Sequence, residues 1–156
     1  MLSKNAQFIQ DFLKRQGIET TVVELPDSTR TAEEAAKAIG CQVAQIVKSL
    51  IFRTKTSNRP LLVLASGVNR VNEKKIAAAC GEELVKADAD FTREATGFAI
   101  GGIPPVCHLN KIETFIDEEL LKIPELWAAA GTPHAVFNLD SSVLVHLTGG
   151  KVMAIK

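Results

Sequence analysis

Two apolar, β-rich runs, residues 46–53 and 61–66, stand a few residues apart, with Ser57-Asn58-Arg59-Pro60 leading into the second. Runs of this length bounded by turn residues read as strands, and so short a connection can join only antiparallel neighbours. A sheet containing a hairpin is therefore required before any other element is placed. Helical signals interleave with it. Ser3 can cap a helix whose Phe8, Ile9, Phe12 and Leu13 share a face and which Gly17 ends. Thr31, with Glu34 three residues on, forms a capping box that opens a short helix ending at Gly40. Further helices are expected at 72–80, stopped by Gly81, at 90–95, at 124–130, and from Asp140 or Ser141 to Leu147. Strands are expected at 20–25, 106–109, 114–116, 134–139 and 152–155. A hairpin mixed with helix-bearing connections favours an α/β fold on a mixed sheet over a wholly parallel one.

At 156 residues, without repeats or low-complexity segments, a single domain over 1–156 is expected. No stretch reaches the roughly 20 apolar residues of a membrane span, and the N-terminus lacks a signal-peptide core, so a cytoplasmic protein with no membrane partner is expected. Cys41, Cys80 and Cys107 are odd in number and widely spaced, which reads as structural thiols rather than a disulfide framework or zinc site. The adjacent Cys107 and His108 cannot readily aim at each other from consecutive extended positions. His134 and His146 read as a strand-end and a helix-surface histidine. Hydrolase elbow, zinc-protease, Walker and dinucleotide motifs are all missing. An enzyme made of these residues is expected to work without metal, cofactor or a conventional side-chain nucleophile.

Three features remain to be explained. Lys48 interrupts the apolar run Ile46-Val47-Lys48-Ser49-Leu50-Ile51-Phe52 and shares strand parity with Leu50 and Phe52. It is either a lysine snorkelling from a strand end or an ammonium aimed at an anion or a polarised ester. The loop Gly97-Phe98-Ala99-Ile100-Gly101-Gly102-Ile103-Pro104-Pro105 runs paired glycines into paired prolines. It is either a tight connection or a stiff turn presenting N–H groups to an oxyanion. Finally, Lys48, Arg53, Lys55, Arg59, Arg70, Lys74 and Lys75 are accompanied within their own segment by one acid, Glu73, although the whole chain has zero net charge. Zero net charge argues against coating long nucleic acid through phosphates alone. The segment reads as a solvated hairpin tip and helix start, or as a basic patch the size of a short RNA end.

Taken in order, Thr29-Arg30-Thr31-Ala32-Glu33-Glu34-Ala35-Ala36, Gln45-Ile46-Val47-Lys48-Ser49-Leu50 and the 97–105 loop resemble the YbaK/prolyl-tRNA-synthetase-associated editing domains. The resemblance covers the chain from about Leu25 onward. It implies an α/β fold with a mixed, partly barrel-like sheet flanked by helices, and hydrolysis of the ester joining a wrong amino acid to tRNA, chiefly tRNA for proline. It further implies a freestanding, trans-acting, cofactor-free editor whose partners are the tRNA acceptor end and prolyl-tRNA synthetase. In such domains the lysine matched by Lys48 is required beside the terminal adenosine, and the glycine-to-proline turn lines the amino-acid pocket. A hydroxyl or thiol of the substrate takes over part of a nucleophile's work.

The resemblance thus assigns Lys48, Gly101 and Gly102 to catalysis, and Thr31, Ile103, Pro104, Pro105 and His134 to substrate binding. Arg53, Lys55, Arg70, Lys74 and Lys75 are assigned to tRNA. Where the cysteine-specific branch has Gly-Gly-Ile-Ser-Pro and then another glycine, this chain has Pro104 and Cys107. That branch's Ser-Gly-Gly segment and nearby acid are met by Ala129-Ala130-Gly131 and Val136. These departures point to alanine or 2-aminobutyrate as the residue removed. The alternatives are a cysteinyl-tRNA deacylase and a non-catalytic tRNA- or synthetase-binding module.

Overall fold

The hairpin forms the centre of the molecule. In the computed structural model, which describes residues 2–156, β2 (Val47–Thr54) and β3 (Pro60–Ser66) pair antiparallel from Val47↔Ser66 to Arg53↔Pro60. The intervening turn places Asn58 at a positive φ of 55° and draws Thr54 Oγ1 onto the Arg59 N–H. Leu61 through Ala65 of β3 are fully buried, so both faces of this strand carry core. Alternation divides them. Leu62 and Leu64 join a large cluster with Ile9 and Leu13 of α1 (Lys4–Arg15), whereas Leu61, Val63 and Ala65 pack on Ile76 of α3 (Glu73–Cys80).

The remaining strands extend from this pair. β4 (Leu84–Lys86) lies antiparallel to β2, while β5 (Glu113–Asp117) and β8 (Lys151–Met153) add parallel to β3 in the order β4-β2-β3-β5-β8. A second, antiparallel sheet has the order β1-β7-β6, from β1 (Val23–Glu24), β6 (Leu126–Ala129) and β7 (Ala135–Leu139). Its inner side chains Leu126, Ala128, Ala135 and Phe137 belong to the same large cluster. The two sheets meet in one isolated parallel bridge, Ile46↔Trp127, and do not close into a barrel. The remaining helices are α2 (Ala32–Ile39), α4 (Ala89–Thr96) and α5 (Ser141–Thr148). Among the described residues no helix is long and apolar enough to cross a membrane.

Caps account for most helix boundaries. Thr31 Oγ1 accepts from Glu34 N–H, Asn72 from Lys74 N–H, and Asp88 from Phe91 N–H. Ser3 occupies the cap position of α1 without a side-chain cap bond. Phe8 is not on the buried stripe but half exposed, and Ala6 takes its place beside Ile9 and Leu13.

Several expected elements differ. The segment 124–130 is not a helix: its alanines suggest one by propensity, yet Leu126–Ala129 pairs with β7 and alternates buried and half-buried residues. Small side chains are needed there because the strand walls a cavity. No strand forms at 106–109, where Cys107 takes φ of 70° and the His108 ring bonds the Pro104 carbonyl. The strand expected at 20–25 shortens to Val23–Glu24, and before it the Val22 N–H donates to Gln10 Oε1 and the Thr20 hydroxyl to Asn138 Oδ1 in place of a ladder. β4 and the 3-10 turns Val43–Gln45 and Glu118–Lys122 carried no clear period.

The turn after β3 is the tightest point of the fold. A Cβ at Gly67 would lie 2.2 Å from the Val43 carbonyl oxygen, a backbone atom that cannot swing aside. Gly67→Ala is expected to destabilise the protein by about 1–3 kcal/mol, read as a lower midpoint at unchanged m-value in urea unfolding.

Candidate active site

α2, the start of β2, the 97–103 loop and the β6–β7 sheet surround a cavity of about 280 Å³. Its lining includes Arg30, Thr31 and Glu33 from the α2 entry, and Lys48, Ser49 and Leu50 from β2. Gly67 after β3, Ile100, Gly101 and Ile103 of the loop, and Trp127, Ala129 and Val136 of the second sheet complete the lining. The α2 entry is held down by Thr29, whose N–H and hydroxyl both donate to the Pro133 carbonyl, at 2.6 and 2.8 Å.

Lys48 is half-buried in this cavity, and its ammonium donates to the Asn69 carbonyl at 2.5 Å. Removal from water pushes it below the usual lysine range. Glu33 and Asp117 oppose that shift, and Arg70 adds to it. Beside it on β2, the Ser49 hydroxyl is buried with no hydrogen-bond partner among the described residues, which a native interior rarely tolerates away from a ligand site.

Of the paired glycines, Gly101 lines the cavity and Gly102 does not. Gly101 has φ of 92°, and a Cβ there would sit 2.5 Å from Arg30 Cγ, so the absence of a side chain leaves room for the arginine stem to cross the loop. The Gly102 N–H is already bonded to the Ala99 carbonyl at 3.0 Å, which removes it as a donor to a ligand. A Cβ at Gly102 would press into the Thr132 backbone at 2.8 Å, so its role is close packing. The N–H groups of Gly101 and Ile103 bond no other described residue.

The other sequence-derived residues divide. Thr31 and Ile103 line the cavity. Pro104 and Pro105 are buried behind Ile103, Pro105 facing a groove on the far side, so they stiffen the wall without forming it. His134 is exposed outside the cavity, its Nδ1 3.1 Å from the Asp27 carbonyl oxygen. The basic residues are not one patch. At the hairpin end of β2, Arg53 bonds Asn58 and lies 5.8 Å over the Phe91 ring, and Lys55 pairs with Glu83 at 3.2 Å. Arg59 there meets Glu82 and Glu113, acids that lie outside the segment's linear charge count. Arg70 stands next to Asn69 at the Lys48 end. Lys74 and Lys75 follow as exposed residues of α3, with Lys75 donating to the Lys156 carbonyl.

Arg30, Glu33, Ser49, Ile100 and Trp127 are site residues that sequence reasoning did not single out. Ser49 left one trace, a second polar residue beside Lys48 in an apolar strand. Burial pushes the Cys107 thiol up to about 11, which disfavours the thiolate that a nucleophilic role needs.

Residues 26–147 match the aminoacyl-tRNA editing domain family. An uncharacterized Bacillus subtilis (strain 168) protein, YwhH, is 28% identical over 86% of this chain and 85% of its own length. The proline–tRNA ligase of Limosilactobacillus fermentum is 33% identical over 58% of this chain; the matched part is 16% of the ligase. Among solved structures, a candidate trans-editing enzyme for prolyl tRNA synthetase superposes with a TM-score of 0.92 at 46% identity, over 100% of this chain and 99% of that one.

The loop's packing has a pH signature. Burial holds the His108 imidazole below its usual value, only partly offset by the Pro104 carbonyl bond. Its stabilising contribution is therefore complete above the unfolded-state value of about 6.5 and is lost as pH falls through the lower folded-state value. Urea unfolding at pH 7.5 and 5.5 should show wild type losing more stability over this interval than His108→Gln.

Proposed function

The chain belongs to the aminoacyl-tRNA editing domain family, and we propose that within it this protein is a trans-acting deacylase that hydrolyses the ester of mischarged tRNA, specifically tRNA for proline carrying alanine or 2-aminobutyrate. The observation that carries this reading is one small cavity lined together by Lys48, by Gly101 of the glycine loop and by the apolar residues Ile103, Ala129 and Val136. The similarity to proline–tRNA ligases and to a candidate prolyl trans-editing enzyme supports tRNA for proline as the carrier and prolyl-tRNA synthetase as the enzyme whose errors are corrected. This work fits a cytoplasmic setting. The editing unit is taken to be the whole of residues 1–156, because α1 contributes Ile9 and Leu13 to the same core as β3.

The chemistry follows from the arrangement. Water adds to the ester carbonyl, whose oxygen develops negative charge toward the Gly101 and Ile103 N–H groups. The carbon–oxygen bond to the ribose then breaks, the ribose oxygen takes a proton, and the amino acid leaves as a carboxylate. Lys48 supplies a fixed positive charge beside the terminal adenosine, and the adjacent ribose hydroxyl orients the water. Arg70 and Lys74, exposed at the Lys48 end, are the basic residues best placed for acceptor-stem phosphates. Arg53 and Lys55 are engaged at the other end of β2.

Release of amino acid from alanyl-, 2-aminobutyryl-, cysteinyl- and prolyl-tRNA tests the reading. Alanyl or 2-aminobutyryl ester should be cut and prolyl ester largely spared; a preference for the cysteinyl ester would move the protein to that branch, and no release from any would leave a binding module. Lys48→Ala should abolish release while keeping the thermal midpoint, since removing a partly desolvated ammonium relieves its desolvation cost as it deletes one hydrogen bond. Ile103→Ala should raise prolyl relative to alanyl cleavage by about tenfold to a hundredfold, the worth of a methylene or two in an apolar pocket.

A further inference from the structure

One buried acidic side chain is not used by the chemistry above. Asp117, at the end of β5, is only 1% exposed. Its Oδ2 accepts from Ser66 N–H at 3.0 Å and from Asn69 Nδ2 at 2.8 Å, and its Oδ1 accepts from Glu119 N–H at 2.9 Å. All three partners are donors, and the carboxyl group forms no ion pair among the described residues. Burying a charge to tie down a turn is a costly device, since a neutral acceptor would serve the same geometry.

The turn it ties down is the one that holds the lysine. Ser66 Oγ donates to the Ala44 carbonyl, Gly67 N–H to the Ile46 carbonyl, and Asn69 N–H to the Ser66 carbonyl. Asn69 Nδ2 also reaches Glu119 Oε1 at 3.1 Å. Ser66, the Gly67 N–H and the Asn69 N–H and side-chain amide are thus held by partners within the fold, and the Asn69 carbonyl between them receives the Lys48 ammonium.

We propose that Asp117 is a positioning residue for Lys48: through Asn69 it fixes the carbonyl that holds the ammonium at the cavity. This rests on the role given to Lys48 in ester hydrolysis. The charged groups facing Lys48 are Glu33 from α2, Asp117 from β5 and Arg70 after the turn; Asp117 is the one buried among them and the one joined to Lys48 through a single residue.

Two variants separate positioning from simple stability. Asn69→Ala keeps the main-chain carbonyl but frees the turn, and should lower kcat about ten- to a hundredfold with KM nearly unchanged. Asp117→Asn removes the charge and should move the Lys48 ammonium midpoint, followed by side-chain NMR, to lower pH, with the basic limb of the pH–rate profile moving alongside. If Asp117→Asn does not fold, Asn69→Ala decides. If both variants melt lower yet keep the wild-type kcat, pH profile and Lys48 midpoint, the network is structural only and the proposal is overturned. If wild type releases no amino acid from any mischarged tRNA, the functional reading fails, while the Lys48 midpoint in the two variants still decides whether Asp117 governs that ammonium.

Discussion

The antiparallel ladder between β2 and β3 is the constraint on which the rest of the structure depends. It sets Lys48 opposite Ala65, brings the chain directly from Ser66 into the turn whose carbonyl meets that lysine, and buries β3 on both faces. A one-residue slip would exchange the two faces of β2, removing Lys48 from the cavity and sending Ile51 away from the main core. Hydrophobic burial therefore enforces the position of a cation: Leu62 and Leu64 on one face and Leu61 and Val63 on the other hold the register that a lone lysine could not hold for itself.

Local chemistry made much of this legible. The hairpin, the Thr31 cap, the helix after Asn72 and the placing of Lys48 among apolar neighbours follow from patterns spanning fewer than about ten residues, where backbone preference and side-chain period agree. What was not legible depended on distant partners. Leu126 to Ala129 carries alanines that favour a helix in isolation and a strand once β7 is alongside. Gly101 and Gly102 look equivalent in sequence; only the approach of Arg30 to one and of Thr132 to the other shows that they do different things. Pro104 and Pro105 read as pocket wall but stand behind it, because Ile103 alone turns toward the cavity.

Charge shows the same limit in another form. The segment from Lys48 to Lys75 is strongly basic along the chain, yet Glu82, Glu83 and Glu113 arrive from later elements and neutralise its hairpin end. These are exposed pairs, each worth little in stability. Their effect is on where charge is left unpaired: among the described residues Lys55 and Arg59 sit in ion pairs, whereas Arg70 and Lys74 do not. Linear charge patterns identify the amount of charge, and the fold decides where it acts.

The single Ile46↔Trp127 bridge between the two sheets has a consequence for how such a site can diversify. Lys48, the 66–69 turn and Asp117 belong to one hydrogen-bonded sheet, whereas Ala128, Ala129 and Val136, which fix the width of the cavity, belong to the other. Changing a side chain on the second sheet alters what fits without disturbing any backbone bond that locates the cation. The seam makes the molecule modular: one half can be inherited unchanged while the other is refashioned for a new guest.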